Sequence, residues 1–199
     1  MKVFCSLVAI IFSATSVTSP LAAQPPRELA KWLAPQRWQK DTAGPIISLG
    51  AAGAFDDMHI FAPAVIEEKS LFLLWYCGSR GTRTGRVFRL GLAESKDGKS
   101  FERHRDNPVL EFKDGIRSVL TPTLLRKGDG SVLREDGKLR LWHSAANLAK
   151  GGLHTLHETT SADGIHWAEP SPPLLDNVYC PTVLKTEKGY EMWYSDVSK

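Results

Sequence analysis

The chain has 199 residues, with 25 Lys and Arg against 22 Asp and Glu, a formal net charge of +3. So even and well mixed a balance offers no groove for nucleic acid, which is excluded as a partner. Three cysteines are too few for a disulfide scaffold, and the length suits one domain with a real core.

Residues 1–23 read as a secretory signal peptide. Lys2 gives the positive start, 3–12 is an apolar run, and Leu21-Ala22-Ala23 before Gln24 is a small-residue cleavage site. The apolar run is too short for a membrane span, so no stable membrane insertion is expected after cleavage and the mature protein is secreted or periplasmic. An uncleaved anchor is the rival reading. Residues 24–54 form an N-terminal extension. A short helical turn is expected over 27–33, ended by Pro35, then a Gly- and Ala-rich loop over 42–55.

From residue 55 onward the same parts return in the same order. Pro63-Ala64-Val65-Ile66, Pro122-Thr123-Leu124-Leu125 and Pro181-Thr182-Val183-Leu184 open three copies, 59 residues apart each time. Each opening is followed by an apolar strand carrying tryptophan: Trp75-Tyr76, Trp142-His143 and Trp193-Tyr194. The first two copies continue into Ser95-Lys96-Asp97-Gly98 and Ser161-Ala162-Asp163-Gly164, with an aromatic (Phe101, Trp167) three residues after the glycine. In such a turn Asp bonds back to the chain and Gly takes positive φ, so these carboxylates read as structural.

Strands are expected at 64–66, 70–77 and 87–94, and in the second copy at 123–126, 138–144 and 154–160. A fourth strand is expected within 101–112 and within 167–175. No segment carries a 3.6-residue apolar period long enough for a crossover helix. Four short strands per repeat predict an all-β fold: a β-propeller of four-stranded antiparallel blades over 55–199, about two and a half blades of an expected five. An open stack of blades leaves a strand edge and a core flank uncovered, so self-association through that edge, or a truncated and inactive chain, is expected.

These blade openings, tryptophan strands and Ser-x-Asp-Gly turns together resemble the five-bladed β-propeller glycosidases, the group of arabinanases, xylosidases and fructan-cleaving enzymes. The resemblance implies a carbohydrate partner and glycoside hydrolysis by carboxylates delivered from successive blades. It places the first-blade base at Asp57, the second-blade carboxylate at Asp114, and the acid at Asp176, the only carboxylate near the third opening. Where the family has a Glu just ahead of that opening, this chain has Asn177-Val178-Tyr179-Cys180. A non-catalytic carbohydrate-binding propeller is therefore the alternative. No organic cofactor is expected, and a single divalent ion, carried by some relatives, stays open.

Asp56, His59 and Arg83 are the candidate substrate-binding residues. In extended chain Asp56 and Asp57 point opposite ways, and the sequence does not choose between them. His59 sits two residues on from Asp57, placed to meet a sugar hydroxyl. Arg80, Arg83, Arg86 and Arg89 lie in a Gly-rich hairpin, read either as a solvated turn or as a rim gripping an acidic or sulfated sugar through bidentate contacts. His143 reads as a half-buried hydrogen-bonding residue. His154 and His157, three apart in a strand, face opposite sides and do not share a metal. Cys77 and Cys180 read as buried free thiols or, less simply, as a disulfide.

Overall fold

The computed structural model describes residues 35–198. The signal peptide and the expected helical turn over 27–33 lie outside the described residues. The chain divides into two units, Met1–Lys40 and Asp41–Lys199. Residues 35–40, the described part of the first, have no regular structure, and 41–58 are bends and turns, as the Gly- and Ala-rich composition predicts.

The second unit is all-β. Its strands are β1 (His59–Glu68), β2 (Leu71–Ser79), β3 (Arg89–Ser95), β4 (Glu102–Arg103), β5 (Ser118–Leu124) and β6 (Arg126–Lys127). They continue as β7 (Arg134–Glu135), β8 (Lys138–Ala146), β9 (Thr155–Ser161), β10 (Leu175–Asp176), β11 (Val178–Thr186) and β12 (Gly189–Asp196), with one 3-10 turn at Leu148–Lys150. Three sheets result, in the orders β1-β2-β3-β4, β10-β9-β8-β5 with β7 beside β8, and β12-β11-β6. Pairing is antiparallel throughout except between β6 and β11.

The repeat seen in the sequence is a repeat of register. Ala64 pairs with Trp75, Thr123 with Trp142 and Thr182 with Trp193. Just before each pair the ladder breaks at the same place, between Phe61 and Ala64, Leu120 and Thr123, and Tyr179 and Thr182. Proline explains the break: Pro63, Pro122 and Pro181 have no N–H to give the ladder, and a bulge is where a strand tolerates that. The residue ahead of each proline is left-handed, with φ of 53° at Ala62, 45° at Thr121 and 51° at Cys180. None is glycine, so each kink carries backbone strain of roughly 1–3 kcal/mol.

The Asp-Gly turns also repeat atom for atom. Asp97 Oδ1 accepts from the amides of Lys99 and Ser100, and Asp163 Oδ1 from those of Ile165 and His166. Ser95 and Ser161 Oγ accept from the amides of Gly98 and Gly164, whose φ values are 70° and 82°. The Ser100 and Lys99 amides, with the Ser95 hydroxyl, hold the Asp97 carboxyl down at about 2. These carboxylates build turns, as their sequence context implies.

The sheets stack face to face, so alternate residues of the tryptophan strands are buried on opposite sides. Trp75 and Cys77 of β2 face Leu139, Leu141 and Ala145 of β8 in one continuous core. Trp142 on the other face of β8 joins Val178 and Val183 of β11. Leu74 and Tyr76 close over Phe55 and Phe101 on the outer face of the first sheet. Glu68 of β1 and Arg134 of β7 tie the first two sheets through a two-point ion pair, 2.7 Å at each contact.

Two expectations need correction. The fourth strands shrink to the two-residue β4 and β10, supplemented by the single bridges Leu90–Leu110 and Ser161–Trp167. Pro108 and the cluster Pro170, Pro172 and Pro173 strip donors from these stretches and cut the ladders short. Cys77 and Cys180 are free thiols, but only Cys77 is buried; Cys180, at its kink, is exposed.

Candidate functional site

The last ladder pair before each bulge is made by Phe61, Leu120 and Tyr179 in the three copies. All three line one cavity of about 390 Å³. The first strands of three successive sheets therefore meet around a common hollow. Thr121 Oγ1 pins the meeting point by accepting from the Cys180 amide at 3.2 Å and donating to Ser144 Oγ at 3.2 Å.

The rest of the lining comes from chain ends and loops around that hollow. His59, at the start of β1, has Nδ1 3.1 Å from Ser79 Oγ, its cross-strand neighbour. Arg83 and Arg86 enter from the Gly-rich hairpin between β2 and β3. His154, just ahead of β9, packs edge-on against Tyr179 with ring centroids 5.1 Å apart. Burial lowers the His154 pKa and raises that of Tyr179, so imidazole and phenol are both neutral near pH 7. No carboxylate lines the cavity among the described residues. A second hollow, about 530 Å³, lies by the Asp97 turn, but residues of the first sheet alone form it and no other sheet contributes.

His59 and Arg83 thus come together at this cavity, whereas Asp56, Asp57, Asp114 and Asp176 lie elsewhere. Asp56 and Asp57 precede β1, in a turn rather than in extended chain. Asp56 is completely buried on the outer face of the first sheet, where Oδ2 accepts from Tyr76 Oη at 2.9 Å and Arg103 Nε at 2.8 Å. Burial, then the bond to Asp56, pushes the Tyr76 phenol well above its usual range. Asp57 accepts from the amide of Gly53 at 2.7 Å and from that of Gly81 at 3.1 Å. It therefore ties down the hairpin that carries Arg83 and Arg86.

Asp114 is engaged with its own turn, accepting from the amides of Ile116 and Arg117 at 3.0 Å and from Arg117 Nε at 2.5 Å. Partial burial raises its pKa, but the Arg117 and Ile116 amides and the Arg117 guanidinium outweigh that and hold it at about 2. Asp176 ends β10 at an exposed edge, paired in the ladder with Thr155. Among the described residues no three His, Cys, Asp or Glu side chains stand close enough to hold a metal ion.

His143 is fully buried rather than half-buried, stacked on His157 at 5.6 Å with Phe112 edge-on to both. His157 bonds to the Ser171 carbonyl and to Thr155 Oγ1, while His154 opens to the cavity, so the two histidines do face opposite ways. Leu120 and Tyr179 were missed in the sequence, yet a signal existed: each stands two residues before a repeat proline, as Phe61 does. In the sequence Arg86 is one of four arginines around the Gly-rich hairpin and His154 one of two histidines three apart in a strand, and neither context marks a cavity.

No protein-family model matches the chain. Two curated relatives from Mycobacterium tuberculosis, the uncharacterized proteins MT1551 (strain CDC 1551 / Oshkosh) and Rv1502 (strain ATCC 25618 / H37Rv), are each 28% identical over 167 residues. The match takes in 76% of this chain and 52% of each relative, so the chain spans about half the length of the curated relatives it matches. Among solved structures, the GH32 β-fructofuranosidase BmSUC1 of Bombyx mori superposes with a TM-score of 0.54 at 17% identity, over 67% of this chain and 28% of that one. The family 117 glycoside hydrolase Zg3597 of Zobellia galactanivorans gives 0.52 at 14% identity, over 74% and 51%. The GH43 β-xylosidase/α-arabinofuranosidase CoXyl43 from a compost microbial metagenome gives 0.50 at 17%, over 67% and 41%. At these identities the likeness shows fold alone: an all-β architecture of antiparallel sheets like that of the five-bladed propeller glycoside hydrolases.

Proposed function

We propose that the chain is a glycoside hydrolase-like protein that binds a poly- or oligosaccharide in the cavity where its three sheets meet. The observation that carries this reading is the convergence of Phe61, Leu120 and Tyr179, one repeat position on three sheets, upon a single hollow. A sugar ring has apolar faces and a hydroxyl edge. Phe61 and Tyr179 offer flat apolar surface, while His59 and His154 offer nitrogens for hydroxyls, the mixture a pocket of this kind needs. The Bombyx mori fold relative is known with sucrose bound and the metagenomic one with xylotriose. Calorimetric titration against a panel of neutral and acidic oligosaccharides tests the reading. Tyr179→Ala is expected to weaken binding about tenfold or more, and absence of binding across the panel sinks it.

Hydrolysis by carboxylates is the second reading, and Asp57 is what favours it, because its carboxylate is fixed to the arginine hairpin. In that reading Asp57 is the base, and Asp114 and Asp176 are the further carboxylates. Release of reducing ends that is unchanged in Asp57→Asn removes Asp57 as the base, and no release from any member of the panel removes the reading.

Export under a signal peptide spanning 1–23 belongs to the same proposal, with 24–54 as an extension and 55–199 as the propeller domain. Recovery of a secreted or periplasmic protein beginning at Gln24 is the expected result, and recovery with Met1 intact speaks against it. We further propose that the three sheets are propeller blades and that another sheet of the same kind covers the outer face of β12. Trp193 is 54% exposed there, whereas its counterparts Trp75 and Trp142 are 0% and 6% exposed beneath the next sheet. A second copy is one source of such a sheet. A strict monomer at every concentration, with Trp193→Ser changing neither solubility nor stability, argues against that cover.

A further inference from the structure

The cavity that would hold a saccharide is lined with cations and no anion. Arg83 has no side-chain partner among the described residues. Arg86 sits deeper: Nη1 donates to the Arg83 carbonyl oxygen at 3.2 Å, and its guanidinium lies 5.8 Å from the Phe88 ring centroid. Its Nε is shielded from solvent and donates to nothing. An unpaired buried donor costs roughly 1–3 kcal/mol, more when the group is charged. A buried donor of this kind calls for a partner, whether water, ion or ligand.

The free edge of Arg86 has a known use within this protein. Arg134 presents Nε and Nη2, the same edge of the guanidinium, to both oxygens of the Glu68 carboxylate at 2.7 Å each. Arg86 has Nη1 engaged and no partner at Nε or Nη2, and it lines a cavity that contains no carboxylate of the chain's own. Arg89, which follows the same hairpin, is taken by Glu111.

Resting on the saccharide reading above, we infer that the ligand is an acidic saccharide, whose carboxylate or sulfate group is gripped by the free edge of Arg86 with Arg83 as a second cation. The planar fork matches two oxygens of either anion, and exclusion from water strengthens the pair. Asp57 is the positioning residue, since it holds the hairpin through the Gly81 amide.

Titration calorimetry on the full chain tests this with trigalacturonate, a sulfated galactan trisaccharide and neutral galactotriose. An acidic probe is expected to bind about ten- to hundredfold more tightly than galactotriose. Arg86→Ala is expected to abolish that preference, bringing the acidic probes to within about twofold of galactotriose, and Arg86→Lys to restore only part of it. Arg83→Ala, at an exposed position, gives a smaller loss and guards against a folding defect in Arg86→Ala. Trigalacturonate preferred over the sulfated probe identifies a uronate as the anion, and the reverse a sulfate. Equal affinity for acidic and neutral probes, or a preference that survives both Arg86→Ala and Arg83→Ala, overturns this inference and leaves the saccharide reading standing. Failure of every saccharide to bind overturns both.

Discussion

Trp75 Nε1 donates to the Gly164 carbonyl oxygen at 2.9 Å, joining the tryptophan strand of the first sheet to the Asp-Gly turn of the second. Trp167 Nε1 reaches the same oxygen at 3.0 Å, and the two indoles stand edge to face with centroids 6.1 Å apart. Gly164 is what permits this closeness. A Cβ there would lie 2.6 Å from Trp75 Cζ2, on a backbone already at φ 82°. At the equivalent Gly98 a Cβ would meet Phe72 at an ordinary 3.4 Å. Gly164→Ala is therefore expected to cost about 2–4 kcal/mol, and Gly98→Ala only about 1 kcal/mol. Urea unfolding of both variants checks the order, and equal losses would mean the tryptophan contact carries no weight.

The hairpin between β1 and β2 turns through Lys69 and Ser70, both left-handed at φ 54° and 62°. That is the mirror-image turn that matches strand twist, built from two residues poorly suited to it. The two-residue turn between β7 and β8 is Asp136-Gly137, with φ of 50° and 76°, the sequence such a turn prefers. Replacing Lys69-Ser70 by Asn-Gly is expected to stabilise the chain by about 1 kcal/mol and raise its melting temperature. A drop in melting temperature would show that Lys69 or Ser70 makes a contact the turn needs.

Asp56 holds the outer face of the first sheet together, between the buried Tyr76 hydroxyl and the Arg103 guanidinium. Asp56→Ala leaves Tyr76 without an acceptor and Arg103 without its counter-ion, and is expected to cost about 3 kcal/mol. Asp56→Asn keeps one acceptor and is expected to lose about half as much. Because this network lies apart from the cavity, the folded fraction of either variant should bind saccharide as the parent does. Denaturant unfolding and titration together separate the two effects.

How much of this could be read in advance depended on whether one residue type answers one geometry. Proline marks the bulge because it lacks a donor, glycine marks the turn because it takes positive φ, and tryptophan marks the strand that reaches the next sheet. Each appeared at a fixed spacing, so sheets and register were legible. The short fourth strands were legible only in retrospect, from Pro170, Pro172 and Pro173. Carboxylates were the opposite case. Asp56, Asp57 and Asp114 are chemically identical in sequence, and only their neighbours assign them to a core ion pair, a hairpin clamp and a turn. Asp114 did carry a local sign, with Arg117 three residues on. The cavity depends on segments more than 100 residues apart, which no window contains, although the repeat position of Phe61 was enough to point at Leu120 and Tyr179.

His143 gives the fold a pH dependence whose sign is fixed by burial. Loss of solvent disfavours the imidazolium, and the nearby His157 and Arg117 disfavour it further, so the pKa falls to about 4 despite the bond to the Ser144 carbonyl. In the unfolded chain the same group titrates at about 6.5. Above that value neither state holds the proton, and this histidine costs nothing. Between about 6.5 and 4 the unfolded chain takes up a proton that the folded chain refuses, so stability falls as pH falls. From about pH 7.5 to about pH 5 the expected loss from this residue alone is on the order of 2 kcal/mol. His157, also lowered by burial, adds to it in the same direction. Urea unfolding at the two pH values checks this, and His143→Asn should flatten the dependence even if it lowers stability throughout. An unchanged slope in that variant would place the acid sensitivity in His157 or in the carboxylates instead.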